Sequence, residues 1–177
     1  MPAAPGRGKV KLPSLAVFCS GQGSNLQAII NAIRAKKLLA RIVFVLCDQP
    51  QAKALERARR VGIEARYINP KEFSDRAAFE EALIELLDAR RVDFICLAGF
   101  MRILSPVFVR HYPNRILNIH PALLPAFPGA HAVRDALSWG AKVTGVTVHF
   151  VDEHIDHGPI ILQEAVRMLP KDNEARL

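Results

Sequence analysis

The stretch Ser14-Leu15-Ala16-Val17-Phe18-Cys19-Ser20-Gly21-Gln22-Gly23-Ser24-Asn25-Leu26 sets the terms for the fold. Six residues, mostly apolar, read as a buried strand. Two glycines then stop it, and Leu26, Ile29, Ile30 and Ile33 recur at the 3.6-residue spacing of a helix. A strand that passes through a glycine turn into a helix is the start of a βαβ unit.

The same alternation continues along the chain. Ile42 to Cys47 is apolar and rich in β-branched residues, closed by Asp48-Gln49-Pro50. Ala54, Leu55, Ala58 and Val61 then predict a helix ended by Gly62. Ala65 to Ile68 reads as a short strand. Ser74 reads as the N-cap of a helix carrying Phe79, Leu83, Leu86 and Leu87. Val92 to Leu97 follows as a strand, Val107 to Arg110 as a short helix, Ile116 to Ile119 as a strand and His131 to Trp139 as a helix. Thr144 to Val151 and Ile160 to Met168 are later strands with no room for a helix between them, so they read as an antiparallel pair. The fold class is α/β: a Rossmann-like, mostly parallel twisted sheet with helices on both faces and an antiparallel C-terminal strand pair.

Length and composition agree. A chain of 177 residues is one domain by size and buries roughly 70% of its unfolded surface. We expect a flexible N-terminal tail over residues 1–13 and a catalytic domain over residues 14–177. No apolar run is long enough to span a bilayer, and the N-terminus lacks a secretory signal. Cys19, Cys47 and Cys96 fall in separate strands, an odd number without a Cys-x-x-Cys pair, which predicts free thiols in a reducing, cytoplasmic setting. The net charge of +7 raises the question of nucleic acid. The basic residues are scattered and aromatics are only 7%, so a solvated basic surface or a small anionic substrate fits better.

In sheets of this kind ligands sit beyond the carboxyl ends of the strands. Three segments meet that condition. In Ser20-Gly21-Gln22-Gly23-Ser24-Asn25 the glycines let the backbone approach a ligand, and the helix N-terminus offers free N–H groups to a phosphate. The dinucleotide fingerprint is absent because its third glycine falls at Leu26, and no Lys completes a P-loop, so a single phosphate is expected. Gly99-Phe100-Met101-Arg102-Ile103-Leu104 offers an apolar wall for a flat organic ligand. Asn118-Ile119-His120-Pro121 ends a strand, with Asn118 and His120 on one face. An amide donor beside an imidazole suits a reaction in which charge appears on a carbonyl oxygen.

Asp152-Glu153-His154-Ile155-Asp156-His157-Gly158-Pro159 joins the last two strands. Asp156 is expected to reach His120 and favour its charged form. His154 and His157 lack a completing ligand pattern, so no metal is expected. His149, on an alternating strand, reads as structural.

Together these pieces resemble the phosphoribosylglycinamide formyltransferases, folate-dependent enzymes of purine synthesis. The segments Gly21 to Gln27, Leu97 to Leu104, Asn118 to Pro121 with Leu123-Leu124-Pro125, and Asp156 with Gly158-Pro159 carry the resemblance, which runs from about Leu15 to the end of the chain. It implies transfer of a formyl group from the co-substrate 10-formyltetrahydrofolate to the amine of glycinamide ribonucleotide. It implies that Gly23, Ser24 and Asn25 hold the ribonucleotide phosphate. It implies that Arg76, Met101, Arg102, Ile103, Leu104 and Asn118 meet the folate, and that Asn118, His120 and Asp156 are catalytic. The partners it implies are these small molecules, with neither nucleic acid nor membrane and with a homodimer as one option.

Two departures stand out. His157 occupies a position where the family often has Gly, and the family continues past Leu177 into a C-terminal helix with an acidic contact to the glycinamide. Two rival readings are a formyltetrahydrofolate deformylase, which has no use for a phosphate loop, and a catalytically silent folate- or nucleotide-binding module. A methionyl-tRNA formyltransferase needs a second domain for which 177 residues leave no room.

Overall fold

The computed structural model describes residues 11–177, so most of the expected tail, residues 1–10, lies outside the described residues. Among the described residues seven strands form one sheet in the order β3-β2-β1-β4-β5-β6-β7. They are β1 (Ser14–Cys19), β2 (Arg41–Cys47), β3 (Ala65–Tyr67), β4 (Phe94–Leu97), β5 (Ile116–His120), β6 (Val143–Phe150) and β7 (Ile160–Arg167). The first five pair in parallel, while β5–β6 and β6–β7 are antiparallel. The helices are α1 (Ser24–Arg34), α2 (Lys53–Arg60), α3 (Arg76–Ala89), α4 (Pro106–His111) and α5 (Ala132–Ser138).

The two faces of the sheet are read directly from the alternation of β1. Ala16 and Phe18 point into one apolar cluster with Phe79, Leu83 and Leu87 of α3 and Phe108 of α4. Val17 and Cys19 point into the other, with Leu26 and Ile30 of α1 and Leu55 and Ala58 of α2. Side chains alternate along a strand, so a strand apolar on every residue requires cover on both faces. Strands β1 and β2 have it. The edge strand β7 does not: all eight of its residues are exposed, Ile160, Ile161 and Leu162 among them.

Several element ends differ from the sequence expectation. Helix α3 is capped by Asp75, not Ser74: the Asp75 carboxylate accepts the Ala78 N–H at 2.8 Å. Both residue types are good caps, and the sequence cannot separate neighbours. A 3-10 turn at Pro70–Glu72 was not anticipated. Helix α4 begins one residue earlier, at Pro106, with the Ser105 hydroxyl accepting from Phe108 N–H. All three cysteines are free; Cys96 is only partly buried. No helix among the described residues is long and apolar enough to cross a membrane.

The sheet order reverses between β1 and β4. Chain after β1 turns toward β2 and β3, while chain after β4 turns toward β5. The loops leaving β1 and β4 therefore diverge and leave a crevice at their carboxyl ends.

Candidate active site

The crevice is floored by the two diverging loops. Ser20 ties them together: its N–H donates to the Gly99 carbonyl at 2.9 Å, and its hydroxyl accepts the Met101 N–H at 2.9 Å. This bridging role depends on the two loops meeting in the fold and has no signature in the sequence. The loop after β1 is shaped by Gly23, which stands at φ 69° immediately before α1. A side chain there would also strike Ala54 of α2, whose Cα and Cβ lie 2.8 Å from the position of the added carbon. The backbone of the loop is fastened to α2 as well. Ala54 N–H donates to the Gly21 carbonyl at 3.2 Å, and Arg57 Nε donates to the Gln22 carbonyl at 2.8 Å. Ser24 and Asn25 begin α1, with first-turn N–H groups that have no partner inside the helix.

A cavity of about 300 Å³ opens on the other side of the Gly99 loop. Met101, Arg102, Ile103 and Leu104 are among the residues that line it. Met101 and Ile103 are 72% and 64% exposed, an apolar surface suited to covering by an apolar ligand. Arg76 is not part of this lining. It opens α3, where its Nε donates to Glu80 at 3.1 Å, and the same Glu80 oxygen accepts the Ser105 N–H at 2.8 Å. The structure thus brings four of the expected wall residues together and leaves Arg76 outside, engaged in holding the start of α4.

At the deep end of the cavity β5 ends on Asn118 and His120. Pro121 cannot continue the ladder, and the segment that follows is pinned by Thr147. The Thr147 hydroxyl donates to the Ala122 carbonyl at 2.7 Å and accepts the Leu124 N–H at 3.1 Å. His120 is buried. Its Nε2 faces the Phe127 carbonyl at 2.8 Å and its Nδ1 faces Asp156 Oδ2 at 3.3 Å. Asp156 reaches this point from the β6–β7 connection at φ 49°, a backbone state Asp tolerates better than most residues. Its Oδ2 also accepts the Gly129 N–H at 2.7 Å. The Asn118 amide donates to Asp156 Oδ1 at 3.3 Å and lies 3.2 Å from His149 Nε2.

His149 is therefore a member of the cluster, against the structural reading given to it from sequence. Antiparallel pairing sets it directly opposite Asn118, and its Nε2 is 3.6 Å from Asp156 Oδ1. Burial alone would depress the His149 imidazole. The hydrogen bond to Asp156, the Phe150 carbonyl on Nδ1 and the charges of Asp156 and Asp152 outweigh it and raise the pKa above its ordinary value. Asp156 moves the opposite way. The hydrogen bond from His149 holds its carboxyl below the usual range despite partial burial, helped by the Gly129 N–H and the neighbouring imidazoles. An ionised carboxylate with two imidazoles and an amide around it, at the end of an apolar cavity, can orient donors toward a carbonyl oxygen that gains charge.

Residues 14–177 match the family model described as formyl transferase. The chain is 45% identical over 157 residues to phosphoribosylglycinamide formyltransferase of Bacillus subtilis, covering 89% of this chain and 80% of that protein. It is 49% identical over 165 residues to the trifunctional purine biosynthetic protein adenosine-3 of Drosophila melanogaster, covering 92% of this chain but only 12% of that longer protein. The solved structure of glycinamide ribonucleotide transformylase 1 from Symbiobacterium toebii superimposes with a TM-score of 0.89 at 49% identity, over 92% of this chain and 76% of that one.

Proposed function

Because the chain belongs to the formyl transferase family, we propose that it transfers the formyl group of 10-formyltetrahydrofolate to the amine of glycinamide ribonucleotide. The products are formylglycinamide ribonucleotide and tetrahydrofolate, in de novo purine (IMP) biosynthesis. The observation that best supports this reading is the pair of hydrogen bonds at Ser20, which stitch the glycine loop to the apolar wall and so hold the proposed phosphate loop beside a cavity of about 300 Å³.

In this reading the ribonucleotide phosphate rests on the N–H groups of Gly23, Ser24 and Asn25. The folate lies against Met101, Arg102, Ile103 and Leu104, with Arg76 an outer, indirect contributor through Glu80 and Ser105. The amine lone pair of the glycinamide attacks the formyl carbon, and the carbonyl π electrons move onto oxygen. Asn118 exchanges its long bond to Asp156 for a bond to that oxyanion. A fixed donor of this kind is worth about 3 to 4 kcal/mol in the transition state. His120 is held by Phe127 and Asp156 so that it either steadies the oxyanion or delivers a proton to the departing folate nitrogen. The carbon–nitrogen bond to folate breaks, and the amine gives up the balancing proton. Three free cysteines support a reducing compartment, and we place the activity in the cytoplasm.

The test is formyl loss from 10-formyltetrahydrofolate with and without glycinamide ribonucleotide. Loss that depends on the ribonucleotide supports the transfer. Loss without it makes the chain a deformylase, and folate binding with no loss makes it a silent binding module.

A further inference from the structure

The connection between β6 and β7 carries a second group of ligating side chains that the proposed reaction does not use. Asp152, His154 and His157 share this connection with Asp156, and both imidazoles are largely exposed. Asp152 organises them. Its Oδ1 accepts the His154 N–H at 2.9 Å, and its Oδ2 lies 2.8 Å from His157 Nδ1 and 4.0 Å from His154 Nδ1. One ligand atom from each of the three residues falls within 4.8 Å of the other two. The imidazole rings stand 5.2 Å apart between centroids.

The geometry points to a site for a borderline divalent transition-metal ion, Zn²⁺ or Ni²⁺, held by Asp152, His154 and His157. Tetrahedral bonds of about 2.1 Å put neighbouring ligand atoms roughly 3.4 Å apart. The Asp152 Oδ2 separations of 2.8 Å from His157 Nδ1 and 4.0 Å from His154 Nδ1 lie on either side of that value, and both imidazoles are exposed enough to turn toward a shared ion. Two imidazole nitrogens and one carboxylate oxygen favour zinc, nickel or copper over the hard cations magnesium and calcium, which take oxygen ligands. Three protein ligands leave a further position for water. The sequence reading weighed only the two histidines; the turn that brings the Asp152 carboxylate to them is a property of the folded loop. The consequence reaches the cavity, since Asp152, His154 and Asp156 all line it. An ion here braces the segment that presents Asp156.

Calorimetric titration of the full chain with zinc chloride tests this, read beside wild type, His154→Ala and His157→Ala. Wild type is expected to take up one ion per chain. Each variant, folded by circular dichroism, is expected to bind at least the roughly 10- to 100-fold more weakly that loss of even an outer-shell partner brings. As a second readout, Ni²⁺ should broaden the NMR ring-proton signals of His154 and His157 while sparing His111. Equal zinc affinity in wild type and His157→Ala, or no saturable uptake by wild type, overturns the site and leaves the Asp152–His157 contact as a hydrogen bond that closes the loop.

Discussion

Asp156 Oδ2 stands 3.3 Å from Nδ1 of His120, although the two residues are 36 positions apart and arrive from opposite ends of the β5–β6 pair. β6 runs antiparallel to β5 and ends with Phe150 opposite Leu117, so the contact exists because the connection to β7 folds back along the pair and carries Asp156 to His120. Gly158 permits the close return. A side chain there would run into the Phe150 carbonyl, with the oxygen only 1.9 Å from the added carbon. One carboxylate thereby reaches His120, His149, Asn118 and the Gly129 N–H together.

Truncating either donor is expected to remove turnover. Asn118→Ala should lower kcat by about 100- to 1,000-fold, the usual loss when one oxyanion donor is removed. His120→Ala should lower it by about 100- to 10,000-fold, the range of a positioned proton donor. His120 is buried, so circular dichroism and folate binding must accompany the kinetics. Wild-type turnover in either folded variant removes that residue from the mechanism.

The cluster also gives stability a distinct pH profile. Asp156 titrates below the ordinary 3.8, so its contribution is present above 3.8 and is lost as pH falls through the folded value. His149 titrates above the ordinary 6.5, so its contribution is complete below 6.5 and is lost as pH rises through the folded value. Both depend on the Asp156–His149 contact. The stability gap between wild type and Asp156→Asn, read from urea midpoints, should be widest between pH 3.8 and 6.5 and narrow on either side. A gap constant from acid to alkali contradicts this account.

Arg57 offers a test that separates positioning from chemistry. It bonds the Gln22 carbonyl at 2.8 Å and the Gln27 side chain at 3.2 Å, and so holds the glycine loop from outside the crevice. Arg57→Ala should raise KM for the ribonucleotide by roughly fivefold, equivalent to about 1 kcal/mol for a net hydrogen bond, with kcat and folate KM unchanged. A fall in kcat with unchanged KM places its role elsewhere.

Much of this was legible in the sequence, for identifiable reasons. Strands β1 and β2 are apolar on consecutive residues, which only two-sided cover explains, and Gly62 and Pro121 punctuate where a helix and a strand end. The Asn118 and His120 pair is legible because strand geometry alone puts alternate residues on one face. What sequence did not give depends on register or on loop shape. His149 joins the cluster only because β6 pairs Asn118 with it; a shift of one residue would turn it to the opposite face. The separation of Arg76 from the cavity depends on buried Glu80 capturing it within one turn of α3, a choice between solvent and partner that spacing does not decide.

Gly23→Ala gives the sharpest test of how the phosphate loop is built. The left-handed φ of 69° alone costs an L-residue about 1 to 2 kcal/mol, and the new methyl also meets Ala54 at 2.8 Å. At roughly 2 to 4 °C per kcal/mol for a chain of this size, the melting temperature should fall by at least about 2 to 8 °C. Ribonucleotide binding should fall with it, while folate binding, on the far side of Ser20, should not. The Gly23→Ala, Ala54→Gly double variant then separates the two causes. Removing the Ala54 methyl relieves one of the two 2.8 Å contacts but not the backbone strain, so the double variant should lose less stability than the sum of the single losses. Strict additivity would mean that the α2 contact exerts no pressure on Gly23, and that φ alone requires glycine there.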